Sequence, residues 1–420
     1  MSECIVLGAG MVGIGTALAL QRHGRRVIVV DRRGPGQEAS YGNAGLIQAE
    51  AVEPYGFPLD AASILSILTR RTNDVDWTWS ALPALLPAVL RYAYHSLPGP
   101  YARIVPAFAR LIARATSDHG ALLAAAGAED LIARNGYFAA YESGKTMDEA
   151  AAMAERLRRE HDVPSVVLGG DELARAEPGL RCRLAGAVHW TGTWACSDPG
   201  GLVERYAALF VSNGGRILRG DAASLAPDAG GWQVRTEEGA HDAADVVVAL
   251  GASSPRLLKR FGYSFPMVLK RGYHQHFASS AAPRVPFMDT DHGTLLSPMR
   301  LGVRVLTGAE LNQMDAPPAS RQITRSVKRA RELFALEAPV EAAPWFGTRP
   351  CMPNMLPVVG PGLPAAPDSA AEAVRVILLE VLVGLWLGGL ARLVVMAMAV
   401  AGQMIALLLG LAQAMVPDPA

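Results

Sequence analysis

Residues 4–31 read CIVLGAGMVGIGTALALQRHGRRVIVVD, and the fold turns on this stretch. Residues 4–7 are a short apolar run of the kind that forms a buried parallel strand. Gly8-Ala9-Gly10-Met11-Val12-Gly13 follows as G-x-G-x-x-G. A helical pattern runs on through Leu18, Leu20 and Gln21 until Gly24 stops it. Residues 27–30 are a second buried strand, ended by Asp31. Gly8 permits the tight turn, Gly10 lets the backbone approach a pyrophosphate, and Gly13 lets helix and strand pack closely. The helix N-terminus stabilises phosphate charge. A carboxylate at Asp31 accepts hydrogen bonds from an adenosine ribose and would repel a 2′-phosphate. The stretch predicts a dinucleotide-binding strand–helix–strand unit in an α/β fold. The turn alone does not choose between FAD and NAD.

The rest of the composition agrees. A chain of 420 residues suits two domains, or one α/β domain with a second grafted in. Its 39 Lys+Arg balance 39 Asp+Glu, which excludes nucleic acid as the main partner, since phosphate binding needs concentrated positive charge. Half the residues are hydrophobic and 19% are charged, which excludes disorder. Cys4, Cys182, Cys196 and Cys351 lie far apart with no C-x-x-C, so neither a disulfide framework nor a structural zinc site is expected. No metal site and no nucleophile motif stand out. The first apolar run is too short for a signal-peptide core and has no basic lead-in. The expectation is a cytoplasmic chain without an address label.

Further along, residues 54–125 carry prolines at 54, 58, 83, 87, 98, 100 and 106 that punctuate short apolar helical pieces. Residues 136–141, 231–236 and 245–249 read as strands, 146–161 as a charged amphipathic helix, and 200–213 as a helix stopped by Gly214-Gly215. Strands recur between Lys270 and Thr307. After Asp31, the run from Arg32 to Leu46 is rich in turn formers, including Ser40, Gly42, Asn43 and Gly45. Its backbone N–H groups would approach a flat ring or a second phosphate, with a plain surface turn as the equal alternative. His274 and His276 alternate along a strand and share a side. A strand histidine of this kind is more often a structural hydrogen bonder than a catalyst.

Several separated stretches carry a family resemblance. They are VLGAGMVGIGTALALQRHGRRVIVVDRR, EASYGNAGLI, ACSDPGGL at 195–202, DVVVALGASSPRLLKRFGY at 245–263, LKRGYH at 269–274, and WFGTRPCMPNMLPVVGP at 345–361. In this order they resemble the FAD-dependent amine oxidoreductases that include D-amino-acid oxidase, glycine oxidase and sarcosine oxidase, most of all the bacterial D-amino-acid dehydrogenase branch. The resemblance implies an α/β fold with a Rossmann-like FAD-binding domain interleaved with a mixed-sheet α+β substrate domain. Residues 1–50, 190–262 and 341–361 would form the first, and 51–189 and 263–340 the second. It implies FAD held by Gly8, Gly10, Gly13 and Asp31, with Arg32 beside them. Ser40, Asn43, Gly45 and Leu46 would lie near the flavin, and Gly251 would end the turn that closes the adenine side.

Arg349, in Gly347-Thr348-Arg349-Pro350, would pair with the substrate carboxylate. A guanidinium offers a planar fork of donors that fits a carboxylate bidentately. The plain alternative is a surface Arg before a proline turn. Tyr273 would position the carboxylate or shape the pocket. The implied reaction is oxidative deamination of a D-amino acid to a 2-oxo acid and ammonia, by hydride transfer to flavin N5. The electrons would pass to a quinone or a carrier protein. The enzymatic alternative is a glycine- or sarcosine-type amine oxidase using oxygen. An NAD-linked dehydrogenase would make the Gly45 loop and the Arg349 stretch coincidences.

Residues 362–420 depart from the family pattern, which continues into a glycine–histidine-rich segment against the flavin ring. Here residues 393–412 read LVVMAMAVAGQMIALLLGLA without a charge, long enough for a membrane span. Three readings stand open: a frameshifted end that leaves an inactive remnant with an incomplete flavin site, a membrane anchor suited to quinone, or a divergent helix covering the flavin.

Overall fold

The computed structural model describes residues 3–70, 73–228, 231–360 and 377–378. The reading of 393–412 as a membrane anchor lies outside the described residues, as does nearly all of 362–420. Among the described residues no helix is long and apolar enough to cross a membrane.

The opening unit forms as expected. Strand β1 (Glu3–Leu7) leads through the glycine turn into helix α1 (Met11–Arg22) and back into strand β2 (Arg26–Asp31). β1 and β2 run parallel, Cys4 opposite Val27 and Leu7 opposite Val30. On its other side β1 pairs in parallel with Asp245–Val248, and β2 pairs in parallel with the start of the strand Arg216–Asp228. Two antiparallel strands extend one edge of this seven-stranded sheet, and Ile377–Leu378 adds a parallel strand at the other. Alternate residues of one strand point to opposite faces. Accordingly Ile5, Leu7, Ile28, Val30, Val246 and Val248 pack into one core, while Cys4, Val6, Val27, Val29 and Val247 pack into another under α1. Both faces are covered, which is why these strands are nearly all β-branched. Each fully buried Val or Ile contributes about 1.5–3 kcal/mol. Helix Pro199–Ser212 lies beside α1, and Gln21 Nε2 donates to the Phe210 carbonyl at 2.9 Å.

The second sheet has eleven strands. Its spine is the strand Val268–Ala281, which pairs antiparallel with Gly302–Leu306, Ala309–Leu311, Ala335–Pro339 and Trp345–Cys351. The strand Trp345–Cys351 falls in the stretch that the sequence reading gives to the FAD-binding side. Here it is a strand of the larger sheet, because its hydrogen-bonding partner from Val268 to His274 belongs there. Residues 61–126 form four helices, Ala61–Leu68, Leu82–His95, Pro98–Ile112 and Ala115–Ala126. Pro87 and Pro106 lie inside helices rather than ending them. Each gives up one intrahelical hydrogen bond, while Leu85, Ala88, Tyr92, Ile104 and Phe108 on the same helices are buried.

Candidate active site

The glycines of the opening turn divide by what confines them. Gly8 has φ +107°, and a Cβ there would overlap the Ala249 carbonyl. A Cβ on Gly13 would overlap the Gly8 carbonyl. The chain's own packing demands both. A Cβ on Gly10 would meet only Ser40 Oγ, at an ordinary 3.4 Å. Gly10 therefore opens on free space in front of the α1 N-terminus, where helix N–H groups lack intrahelical partners. Ser40 Oγ accepts one of these, from Met11, at 3.0 Å. Asp31 is fixed by the turn. Its Oδ2 accepts from Ala9 N–H at 2.8 Å and its Oδ1 from Arg33 and Gly34 N–H at 2.8 and 3.1 Å. Gly251, at φ +55°, has open space where a Cβ would lie. It follows Ala249, whose N–H donates to Leu7 at 2.8 Å. A phosphate-accepting cradle with a carboxylate beside it fits a dinucleotide. The Arg32 side chain faces solvent and pairs with Glu38 at 2.6 Å.

The loop from Ser40 to Leu46 is clamped from the larger sheet. Asn43 Nδ2 donates to the Ser40 carbonyl at 2.8 Å, and Asn43 Oδ1 accepts from Gly45 N–H at 2.7 Å. Arg304 Nη1 donates to the carbonyls of Tyr41 and Asn43, at 2.9 and 2.5 Å. Ser297 Oγ donates to the Ala44 carbonyl at 3.0 Å. Leu46 is buried and pairs with Ala195 in a small three-stranded sheet. Gly42 packs against the Trp345 ring so closely that a Cβ would overlap it. With five of its backbone carbonyl and N–H groups held this way, the loop is not a free surface turn.

Trp345 belongs to one face of the larger sheet. Lys270 stands opposite Arg349, Gly272 opposite Gly347, and His274 opposite Trp345. Alternation places all six on one face. His274 stacks on Trp345, with ring centroids 4.8 Å apart. The Arg349 guanidinium lies across Gly272, where any Cβ would overlap Nη2. Arg349 Nη1 is buried and has no hydrogen-bond partner, and no carboxylate pairs with the guanidinium among the described residues. Burial pushes its pKa down to about 10, and the neighbouring Cys351 thiol offsets this only in part. Lys270 beside it is also buried, its pKa lowered by burial and by Arg349. An uncompensated buried cation is costly. The face holding Gly42 through Trp345 thus presents positive charge suited to an anion.

Tyr273 is not brought to Arg349. It stands opposite Phe346, on the other face of the same strand. Its hydroxyl donates to Glu310 and accepts from Ala319 N–H at 2.9 Å. Three residues separate Lys270 from Tyr273, an odd step that turns a strand side chain to the far side. Tyr273 thus lies on the face away from Arg349.

Two residues missed by the sequence reading, Arg304 and Glu341, hold His276 behind the loop. His276 Nε2 accepts from Arg304 Nε at 2.9 Å, and His276 Nδ1 meets the Glu341 carboxylate. Arg304 is itself buried, which pushes its pKa down to about 10. His274, His276 and Glu341 lie close enough to hold a cation. Both His276 nitrogens are already engaged, however, one of them by a guanidinium, so the arrangement reads as a positioning network. Glu50, also missed, is fully buried and accepts from Gln48, Tyr137 and Thr193. Burial raises its pKa. The step-two spacing Trp345, Gly347, Arg349 was a usable signal in the sequence. The Arg304–His276–Glu341 contact had none, since it joins segments distant along the chain.

A sequence model of the family described as FAD dependent oxidoreductase (DAO) matches residues 3–408. Among curated proteins, the chain is similar to a D-amino-acid oxidase of Bradyrhizobium diazoefficiens, 30% identical over 84% of this chain and 86% of that protein. It is also similar to a D-amino acid dehydrogenase of Cereibacter sphaeroides, 32% identical over 85% of this chain and 84% of that one. Among solved structures, glycine oxidase from Geobacillus kaustophilus superimposes with a TM-score of 0.63 at 21% identity, covering 98% of this chain and 95% of that one. L-amino acid deaminase from Proteus vulgaris gives 0.65 at 15% identity, covering 100% and 92%. At such identity the structures speak for the fold alone. The chain belongs to the family of FAD-dependent oxidoreductases, and its cofactor is FAD.

Proposed function

We propose that the chain oxidises an amino acid, in the leading reading a D-amino acid, to its 2-oxo acid and ammonia, with Arg349 holding the substrate carboxylate. One observation carries the reading: a buried guanidinium nitrogen without a partner among the described residues, on the sheet face that the Gly42 loop touches. The names of the sequence relatives, D-amino-acid oxidase and D-amino acid dehydrogenase, support the substrate class.

When bound, FAD supplies the two-electron acceptor for oxidation of the substrate C–N bond. The chain's own part is to bind, orient and exclude water. Gly8, Gly10, Gly13 and Asp31 form the dinucleotide cradle of this proposal, with Gly251 at the adenine side. Ser40, Asn43, Gly45 and Leu46 belong to a loop stiffened by Arg304, so that its backbone groups are set before the ring arrives. Arg349 pairs with the carboxylate through two parallel N–H donors and fixes the direction of the Cα–H bond. Water then adds to the oxidised C=N carbon, and ammonia leaves. The residues that would hold the dinucleotide sit at the seven-stranded sheet, and Arg349, which would hold the substrate, sits on the larger one. The electrons pass on to a quinone or a carrier protein.

The test is the visible spectrum of purified protein before and after anaerobic D-alanine. Flavin bands that bleach are the expected result. Bleaching by glycine or sarcosine instead, with hydrogen peroxide formed in air, would move the assignment to an amine oxidase. A protein that stays colourless with added FAD would overturn the reading and leave an inactive remnant.

A further inference from the structure

Helix Arg321–Leu333 packs on the face of the larger sheet that points away from Arg349. Its Ala330 and Leu333 share a core with Phe277, and Phe277 alternates with the strand residues that face Arg349. An open groove of about 530 Å³ runs along this helix. The helix lines it with Ile323, Thr324, Val327, Lys328 and Arg331. Gln275 and Pro344 line it from the sheet side. The helical residues fall at i, i+1, i+4, i+5 and i+8, which is one stripe. At 1.5 Å per residue that stripe is about 12 Å long.

The lining selects the occupant. Ile323 is buried and Val327 partly so, which gives an apolar floor. Lys328 and Arg331 are exposed toward the C-terminal end of the stripe. Arg331 lies over the Phe277 ring, 5.7 Å from its centre. Neither cation pairs with a carboxylate among the described residues. The acid in the lining, Glu332, is held by Arg329 at 3.2 Å. Two unanswered cations disfavour a metal ion or an amine. An inorganic anion would gain nothing from Ile323, Val327 and Pro344. An elongated organic anion, charged at one end and apolar along its body, uses both halves of the groove.

The groove is also tied to the loop from Ser40 to Leu46. Gln275 Nε2 donates to the Glu341 carbonyl at 2.9 Å. The Glu341 carboxylate accepts from His276 N–H at 2.9 Å and meets His276 Nδ1. His276 Nε2 in turn holds Arg304, which donates to the carbonyls of Tyr41 and Asn43. Successive strand residues point to opposite faces, so Gln275 meets the groove while His276 meets the network. An occupant that takes the Gln275 amide N–H competes with the Glu341 carbonyl for it.

We infer that this groove binds an elongated organic anion, and that its occupancy is felt at the loop from Ser40 to Leu46 through Gln275 and Glu341. The site lies outside the proposed reaction and does not depend on it.

The experiment is calorimetric titration of the full, FAD-loaded chain with octanoate. Arg349→Gln serves as the host, since a carboxylate would also be drawn to Arg349. Octanoate is expected to bind this host. Acetate lacks the apolar body and 1-octanol lacks the charge, so each is expected to bind about tenfold more weakly or worse. Lys328→Glu reverses the charge and Thr324→Trp fills the groove. Added separately, each is expected to weaken octanoate about tenfold or more. Both positions are exposed, so circular dichroism should not change. Octanoate is also expected to alter the rate at which FAD leaves, read as free-flavin fluorescence, and Thr324→Trp to abolish that effect. Binding only while Arg349 is intact would overturn the proposal by assigning the anion to Arg349. Undiminished binding in either groove variant would also overturn it. Binding with an unchanged rate of FAD release would overturn the link to the loop.

Discussion

The guanidinium of Arg349 lies across Gly272, and Gly272 is the residue whose missing side chain makes room for it. The two strands are in register, with Gly272 opposite Gly347 and both flanked by larger residues. A methyl group at Gly272 has nowhere to go unless Arg349 moves. Gly272→Ala is therefore expected to displace the cation while leaving the strand paired. KM for an amino-acid substrate should rise by at least tenfold, about 1.4 kcal/mol, with flavin content unchanged. Steady-state kinetics together with the absorbance ratio of flavin to protein check this. An unchanged KM would detach Arg349 from substrate binding.

Arg349 itself invites a variant whose stability and activity move in different directions. In the free protein the buried guanidinium nitrogen has no partner among the described residues, so the cation costs stability there. Arg349→Gln should leave the melting temperature equal or higher. In the substrate complex the same change breaks a buried charge pair, which costs about 3–5 kcal/mol. The kcat/KM for D-alanine should fall by roughly two to four orders of magnitude. Thermal melts and turnover on one preparation separate the two effects. A loss of stability without a loss of turnover would make Arg349 a structural residue.

The glycine turn separates ligand from fold by the same reasoning. Gly10→Ala meets only Ser40 Oγ at 3.4 Å and should fold normally. It should fail to retain FAD, because the methyl enters the space a pyrophosphate needs. Gly13→Ala must push against the Gly8 carbonyl. It should lower the melting temperature with or without cofactor. Gel filtration followed by flavin absorbance, alongside thermal melts, distinguishes the two. Full flavin content in Gly10→Ala would remove the turn from the cofactor site.

What could be read in the sequence followed short-range chemistry. The turn from Gly8 to Gly13, with Asp31 at the end of the next strand, is a local pattern, and it emerged as a strand, helix and strand. Arg349 was legible as a residue type suited to a carboxylate. Its partner face was not, because that depends on register: Lys270 and His274 face it while Tyr273 turns away. The pairing of Arg32 with Glu38 was not legible either, as sequence adjacency to Asp31 says nothing of the partner its side chain finds in solvent. Arg304, His276 and Glu341 come from three separate strands or loops, so no local period could reveal that they hold one another. The prolines at 87 and 106 read as helix breaks, yet buried Leu85, Tyr92 and Phe108 kept those helices intact.

Acid should act on the network behind the loop from Ser40 to Leu46. Burial, and then the charge of Arg304, hold the His274 pKa down to about 2 and lower that of His276, although Glu341 pulls the latter up. In the unfolded chain each titrates near 6.5. Below that pH the unfolded state binds protons that the folded state refuses, so stability falls as pH drops from about 6.5. The loss is about 1.4 kcal/mol per pH unit for each group across its window. For His274 that window extends to about 2. Protonation of His276 also removes the acceptor of Arg304 Nε. The guanidinium that holds the carbonyls of Tyr41 and Asn43 then loses its anchor. Release of FAD, followed by the rise in free-flavin fluorescence, should accompany the fall in melting temperature as pH drops below about 6.5. His276→Gln keeps an acceptor for Arg304 but cannot take a proton in this range. It should retain FAD to lower pH than the parent chain. Parallel release curves for the two proteins would place the acid-sensitive group elsewhere.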